Sequence, residues 1–237
     1  MTVILLRHGR STSNTAHTLA GRIDGVDLDD KGGEQAQALV ERLGSLPIRA
    51  IVRSPLLRCR RTVEPLAAAL GLDAIVDERI SEVDYGSWTG RKIGDLVKEP
   101  LWSVVQQQPS AAVFPGGEGL AHVQARAVAA VREHDRRLAQ LHEGDALWVA
   151  CSHGDVIKSV LADALGMHLD SFQRITADPA SVSVIRYTAL RPFVIHVNHT
   201  GGALTTALPA KPKADGKAGG DDGEVPPEDA VVGGSTD

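Results

Sequence analysis

Val3-Ile4-Leu5-Leu6-Arg7-His8-Gly9-Arg10-Ser11-Thr12-Ser13-Asn14 is the stretch whose reading decides the fold. Four consecutive large apolar residues, closed by polar and glycine positions, predict a short strand buried on both faces, as in a parallel sheet. The strand stops abruptly and presents an arginine, a histidine and a glycine at its carboxyl end. In open α/β sheets ligands bind at that edge. Arginine offers a permanently charged fork of donors suited to a phosphate. Neutral imidazole is a competent nucleophile, and glycine lets a ligand approach the backbone closely. Alone, the triplet is short enough to arise by chance. Its meaning depends on whether other strands end in the same way.

Working outward, two of them do. An apolar strand predicted over 146–151 delivers Ser152-His153-Gly154, and one predicted over 48–52 ends in Arg53-Ser54-Pro55, with Arg58 a turn further on. Ser54 suits the N-cap and Pro55 the first position of the next helix, which Gly71 ends. Apolar stripes predict further helices over 33–43, 120–142 and 156–165. A third strand is expected over 74–76, and strands over 182–187 and 193–197 read as a hairpin near a sheet edge. Residues 17–30 are polar and rich in turn signals. The stretch 77–115 is the least regular. It holds Tyr85, Trp88 and Trp102, a helical segment is expected over 91–98, and Pro100, Pro109 and Pro115 are expected to break regular structure beyond it.

Alternating strands and helices imply an α/β fold: a three-layer sandwich with a mostly parallel central sheet flanked by helices. One domain is expected over 1–200. From 201 to 237 the composition turns to Gly, Pro, Ala, Lys and Asp, too poor in large apolar groups to offset its ordering entropy, so a disordered tail is expected. A net charge of −5 over 237 residues gives no sign of a nucleic-acid surface. No apolar run approaches a membrane span or the core of a secretory signal. Cys59 and Cys151 have no disulfide or zinc spacing, which makes a cytoplasmic setting the simplest expectation. Asn198-His199-Thr200 fits a glycosylation acceptor but is discounted without a secretory signal.

If the three strands are parallel, Arg7, His8, Arg58 and His153 meet at one sheet edge and form a pocket for a dianion. Arg58 alone, beside Arg60 and Arg61, reads equally well as part of a solvated helix face. The joint occurrence at matching strand ends favours the pocket. A phosphate monoester would be held by Arg7, Arg58 and His153 while His8 attacks phosphorus. A carboxyl group would protonate the leaving alkoxide and then activate water. Glu82 is the candidate, since it follows a strand and precedes a turn rich in glycine and aromatics. Asp84, Glu78 and Glu118 stay open as rivals.

These residues resemble the signature of the histidine phosphatase superfamily, branch 1, the phosphoglycerate mutase-like enzymes. The resemblance runs from Arg7-His8-Gly9, with Ser11 and Asn14, through Leu28…Gly32…Gln35-Ala36 and Ser54-Pro55…Arg58…Thr62. It continues through Glu82…Gly86…Trp88…Gly90 and Pro115-Gly116-Gly117-Glu118 and closes at Ser152-His153-Gly154. It implies a phosphoglycerate mutase-like fold, His8 as phosphorylated nucleophile, phosphoryl binding by Arg7, Arg58 and His153, and Glu82 as proton donor. Asn14 matches a position that commonly lines the phosphate pocket. Asp155 is set aside, because the acid-phosphatase branch places its Asp directly after the second His, where this chain has Gly154.

Arg10 departs from the family's usual Glu or Gln and would add positive charge at the pocket mouth. Arg22, Trp88, Arg91, Lys92 and Phe114 are further candidates for the mouth. The expected ligand is a small phosphorylated metabolite, with no metal and no cofactor, no nucleic acid and no membrane. A homodimer is allowed. The segment from Gly86 to Pro115 is shorter than in the family's glycolytic mutases and lacks the paired arginines and nearby tyrosine expected of a phosphoglycerate grip, so phosphatase is expected ahead of phosphomutase. A binding protein without catalysis is the third alternative.

Overall fold

The computed structural model describes residues 1–142 and 146–201, and the elements succeed one another as strand, helix, strand, helix for most of that length. The opening strand is β1 (Thr2–Arg7), followed by the single turn α1 (Thr12–Thr15) and by α2 (Asp30–Leu43). Then come β2 (Ile48–Arg53), α3 (Leu57–Leu70) and the short β3 (Ala74–Val76). Two small helices, α4 (Ile93–Leu96) and α5 (Pro100–Gln107), precede the long α6 (Leu120–Leu141). The chain closes with β4 (Leu147–Ser152), α7 (Gly154–Ala164), β5 (Val182–Tyr187) and β6 (Pro192–His199). The tail expected over 201–237 lies, beyond Gly201, outside the described residues.

The strands form one sheet of order β3-β2-β4-β1-β5-β6. The first four strands of that order are mutually parallel; β5 and β6 are antiparallel additions at one edge, as the late hairpin predicts. Alternate residues of β1 explain its unbroken apolar run. Val3 and Leu5 point into a core shared with α6 and α7, and Ile4 and Leu6 into a second core shared with α2 and α3. A strand buried on both faces has no position for a polar side chain until it ends. Polar chemistry is thereby confined to the strand ends.

Register brings those ends level. Arg7 pairs with Ser152, and Arg53 with Cys151. One further backbone bond on each side, His8 N–H to the Ser152 carbonyl and Ser54 N–H to the Cys151 carbonyl, both 3.0 Å, carries the alignment past the strands. His8, Ser54 and His153 therefore emerge side by side.

Three local expectations are corrected. α2 begins at Asp30 rather than 33, because Asp29, read as a turn residue, is its N-cap and accepts from Gly32 N–H at 2.8 Å. A side chain on Gly32 would put its Cβ 2.0 Å from the Arg10 carbonyl oxygen, so glycine there lets the His8–Arg10 loop lie on the helix start. α3 is capped by Leu56 in extended backbone, not by Ser54, and Pro55 lies outside the helix. Pro100 does not break structure; it opens α5 at the first helical position, where its missing N–H costs nothing.

Trp102 on α5 stacks on Trp88 at 6.2 Å between centroids, and Trp88 and Tyr85 both meet Phe114 edge-on. Trp88 and Phe114 are 2% and 1% exposed. They are core residues and do not line the mouth of the site.

Candidate active site

His8 follows β1 with its ring buried. Its Nδ1 lies 2.7 Å from the Gly9 carbonyl, and its Nε2 lies 3.3 Å from Arg58 Nε. A carbonyl only accepts and a guanidinium only donates. The proton is therefore on Nδ1, and the Nε2 lone pair accepts from Arg58 Nε–H within the pocket. Burial, then the Arg58 and Arg7 charges, push the imidazole pKa well below its ordinary value. His8 is neutral at physiological pH, as a nucleophile must be.

Arg58, in the first turn of α3, is 1% exposed, which rules out the solvated helix face. Its Nη2 donates to the Gly21 carbonyl at 2.8 Å and reaches His153 Nδ1 at 3.2 Å. Its Nη1 is buried with no hydrogen-bond partner among the described residues. A buried guanidinium N–H without an acceptor costs free energy unless something with oxygens supplies one. Arg7, equally buried, is anchored by Nη1 to the Ala177 carbonyl at 2.7 Å. The His153 ring stands 5.2 Å from that of His8, with Nε2 2.8 Å from Ser54 Oγ. Ser54 thus holds an imidazole from another strand and does not cap its own helix.

Glu82 completes the cluster. It is 5% exposed, with Oε1 accepting from Val83 N–H at 2.9 Å and Oε2 3.9 Å from His153 Nδ1. Burial, and after it the nearby charge of Asp155, raises its pKa to about 7. Its rivals are otherwise engaged. Asp84 accepts from Gly86 N–H in its own turn, and Glu78 is exposed. Glu118 is paired with Arg126 at 2.9 Å and Arg22 at 2.7 Å, which hold it ionised against its partial burial. Glu82 is the carboxyl that carries a proton at the pocket near neutrality.

Side chains behind Glu82 fix its main chain. Ser152 Oγ donates to the Ile80 carbonyl at 2.8 Å, Arg126 to the carbonyls of Arg79, Ser81 and Glu82, and Arg22 Nε to that of Glu82 at 2.8 Å. Among the described residues no group of three or more His, Cys, Asp or Glu is placed to hold a metal ion. No helix among them is long and apolar enough to cross a membrane. Two histidines, two buried arginines and a protonated carboxyl can bind an anion, attack it and protonate what leaves.

The family model of the histidine phosphatase superfamily (branch 1) matches residues 3–200. The chain belongs to that superfamily. It is 30% identical over 203 residues to phosphoserine phosphatase 1 of Hydrogenobacter thermophilus, covering 84% of this chain and 92% of that protein. It is 31% identical over 194 residues to a probable phosphoglycerate mutase, GpmB, of Proteus mirabilis, covering 78% and 84% respectively. Among solved structures, a mycobacterial glucosyl-3-phosphoglycerate phosphatase superposes with a TM-score of 0.76 at 25% identity, over 84% of this chain and 99% of its own.

Not every expected site residue of this histidine phosphatase stands free for a ligand. Arg10 is tied to Asp29 at 2.6 Å, so the extra positive charge expected at the mouth is neutralised. Arg22 is likewise spent on Glu118 and the Glu82 carbonyl, which makes it a positioning residue. Arg91 is paired with Glu99 at 2.7 Å. Asn14 Oδ1 accepts from Ser11 N–H and Oγ–H, at 2.9 and 2.7 Å, and closes a capping box on α1. Sequence reasoning missed Arg126, which looks like any arginine on a long helix. It also passed over what Asp155 does: buried between Tyr85 Oη at 2.8 Å and Lys158 Nζ at 3.1 Å, it holds the Glu82 proton in place by its charge.

Arg58→Ala should lower kcat/KM by about a hundredfold or more, the scale of losing one donor to transition-state charge. Steady-state kinetics check it, and a loss below about threefold would make Arg58 structural only.

Stability should depend on pH through Glu82. The native state keeps the Glu82 proton up to about pH 7, against the ordinary carboxyl value of 4.5. Between those values the folded protein binds more protons than the unfolded chain, so stability from this group falls as pH rises through that window. Glu82→Gln should remove the fall and gain on the wild type by roughly 2–3 kcal/mol between pH 4 and 8. Denaturant unfolding of both proteins across that range checks this; parallel curves would contradict it.

Proposed function

We propose that this protein is a metal-independent phosphatase that hydrolyses a small phosphate monoester through a phosphohistidine on His8. The observation that carries this reading is the fixed tautomer of His8, whose unprotonated Nε2 sits against the buried Arg58 guanidinium, itself holding an N–H that lacks an acceptor.

Arg7, Arg58 and His153 bind the phosphoryl oxygens. With Arg58 donating to Nδ1, His153 carries its proton on Nε2 and gives it to Ser54 Oγ. A serine hydroxyl donates as readily as it accepts. His153 can therefore carry its proton on Nδ1 and present it to a phosphoryl oxygen while Ser54 reverses its bond and the Arg58 Nη2–H that faced Nδ1 turns to the same phosphoryl group. Arg58 Nε–H turns from His8 to a phosphoryl oxygen, and the freed Nε2 of His8 attacks phosphorus in line, forming the P–N bond as the P–O bond to the leaving group breaks. Glu82 gives its proton to the departing alkoxide. The resulting carboxylate takes a proton from water, whose oxygen attacks phosphorus, breaks the P–N bond and returns neutral His8.

A phosphomutase is the second reading, favoured by the 31% identity to the probable phosphoglycerate mutase. It needs the phosphohistidine shielded from water until a second hydroxyl arrives. The segment between Glu82 and the Pro115 turn argues against that. It folds into α4 and α5, whose Leu96, Trp102 and Val105 are buried in the core, and its Arg91 is already paired.

A panel of phosphoserine, phosphoglycerates, sugar phosphates and nucleoside monophosphates, assayed with EDTA for free phosphate and for isomerised ester, tests the proposal. Phosphate release that resists EDTA supports it. Isomerisation outrunning release would favour the mutase, and activity lost with EDTA would overturn metal independence.

A further inference from the structure

β5 runs away from the catalytic edge. Val182 pairs with Leu6 and Arg186 with Thr2, so Tyr187 stands at the amino ends of the parallel strands, about 20 Å from Arg7 at the usual rise per residue. There a cavity of about 270 Å³ opens between α6 and the turn that joins β5 to β6. Three guanidinium groups line it, from Arg132, Arg136 and Arg191. Arg132 is paired with Asp163 at 2.7 Å, whereas Arg136 and Arg191 make no ion pair among the described residues. The cavity's own carboxylate, Asp135, accepts from the Trp148 indole N–H at 3.2 Å. The hydroxyl of Tyr187, on the cavity wall, is buried without an acceptor among the described residues. The nearby Arg132 donates toward its oxygen and cannot supply one, and the carboxylates of Asp163 and Asp135 act on it through charge without bonding it.

Two uncommitted guanidinium groups and a buried hydroxyl without an acceptor are donors around one space, and all suit the same partner: a group rich in oxygens and negative charge. Arginines on an evenly solvated surface need no such partner. Here they converge on a concavity whose wall holds a buried phenol O–H with no acceptor among the described residues. The volume suits a small molecule. An extended polyanion would have to approach a chain of net charge −5.

We propose that this cavity is a second anion site, taking a small multiply charged ligand of the phosphate or phosphate-ester class, separate from the pocket at His8. Its ligand would not compete with substrate, since the two sites open at opposite ends of the strands.

Trp148 supplies a local probe, because its indole N–H is bonded to a residue of the cavity wall. Inorganic pyrophosphate would be titrated into the 15N-labelled protein while the Trp148 indole resonance is followed, assigned through Trp148→Phe. A saturable shift is expected in the wild type and in Arg58→Ala. In Arg136→Ala/Arg191→Ala the affinity should fall at least tenfold. Both of those arginines are exposed, so the double variant should keep the wild-type Tm. No saturable shift in the wild type would overturn the proposal. So would a shift unchanged in the double variant, or one lost in Arg58→Ala, since either assigns the anion to another place.

Discussion

Replacing His8 with alanine is expected to reduce turnover by at least about a thousandfold and to abolish covalent labelling of the protein, the scale expected when a nucleophile is deleted from an otherwise intact site. His153 is not placed to replace it. His153 is equally buried and neutral, but its Nε2 is engaged by Ser54 and its Nδ1 by Arg58. The fold should survive, because β1 ends before His8 and its pairing uses backbone groups only. Arg7 and Arg58 would remain, so the variant should still bind inorganic phosphate. That separates loss of chemistry from loss of the site. Substantial residual turnover, above about a tenth of wild type, would sink the covalent route.

Glu82→Gln carries the second large effect, and its size should depend on the leaving group. An alkoxide from serine, glycerate or a sugar is strongly basic and leaves only with a proton; nitrophenolate leaves readily without one. The variant should slow phosphorylation by alkyl phosphates by roughly a hundredfold or more, and by nitrophenyl phosphate much less. Single-turnover formation of the phosphoenzyme is the rate to measure, because on the proposed route the same carboxylate serves as base in the later hydrolysis and that step can mask the first. In the wild type, the alkyl-ester rate should also decline above about pH 7 as Glu82 loses its proton. Equal slowing of both esters would make Glu82 structural and turn attention to Asp84.

These effects rest on groups that are unequally legible in the chain. The convergence of Arg7, His8, Arg58 and His153 can be read because strands buried on both faces exclude polar residues until they end, which leaves the chemistry at predictable places. What local patterns do not carry is partnership between distant residues. Ser54 satisfies every local rule for an N-cap, yet its partner is His153, 99 positions away. Arg10 and Arg22 read as free cations because Asp29 and Glu118 lie 19 and 96 residues off. Trp88 and Phe114 fall in a stretch without period, so nothing marks them as interior. Cys59 and Cys151 look unrelated in sequence, but Cys151 Sγ lies 3.7 Å from the Cys59 carbonyl beneath the site. Asp155 is a poor candidate acid on motif grounds. Its influence on Glu82 acts through charge in a buried site, and no sequence pattern reports that.

Rapid acid-free quenching with a radiolabelled phosphate monoester tests the phosphohistidine most directly. The predicted result is a labelled chain, acid-labile and base-stable, formed at least as fast as turnover and absent from His8→Ala. Steady turnover with no labelled protein at any time, or a label that persists in His8→Ala, would contradict it.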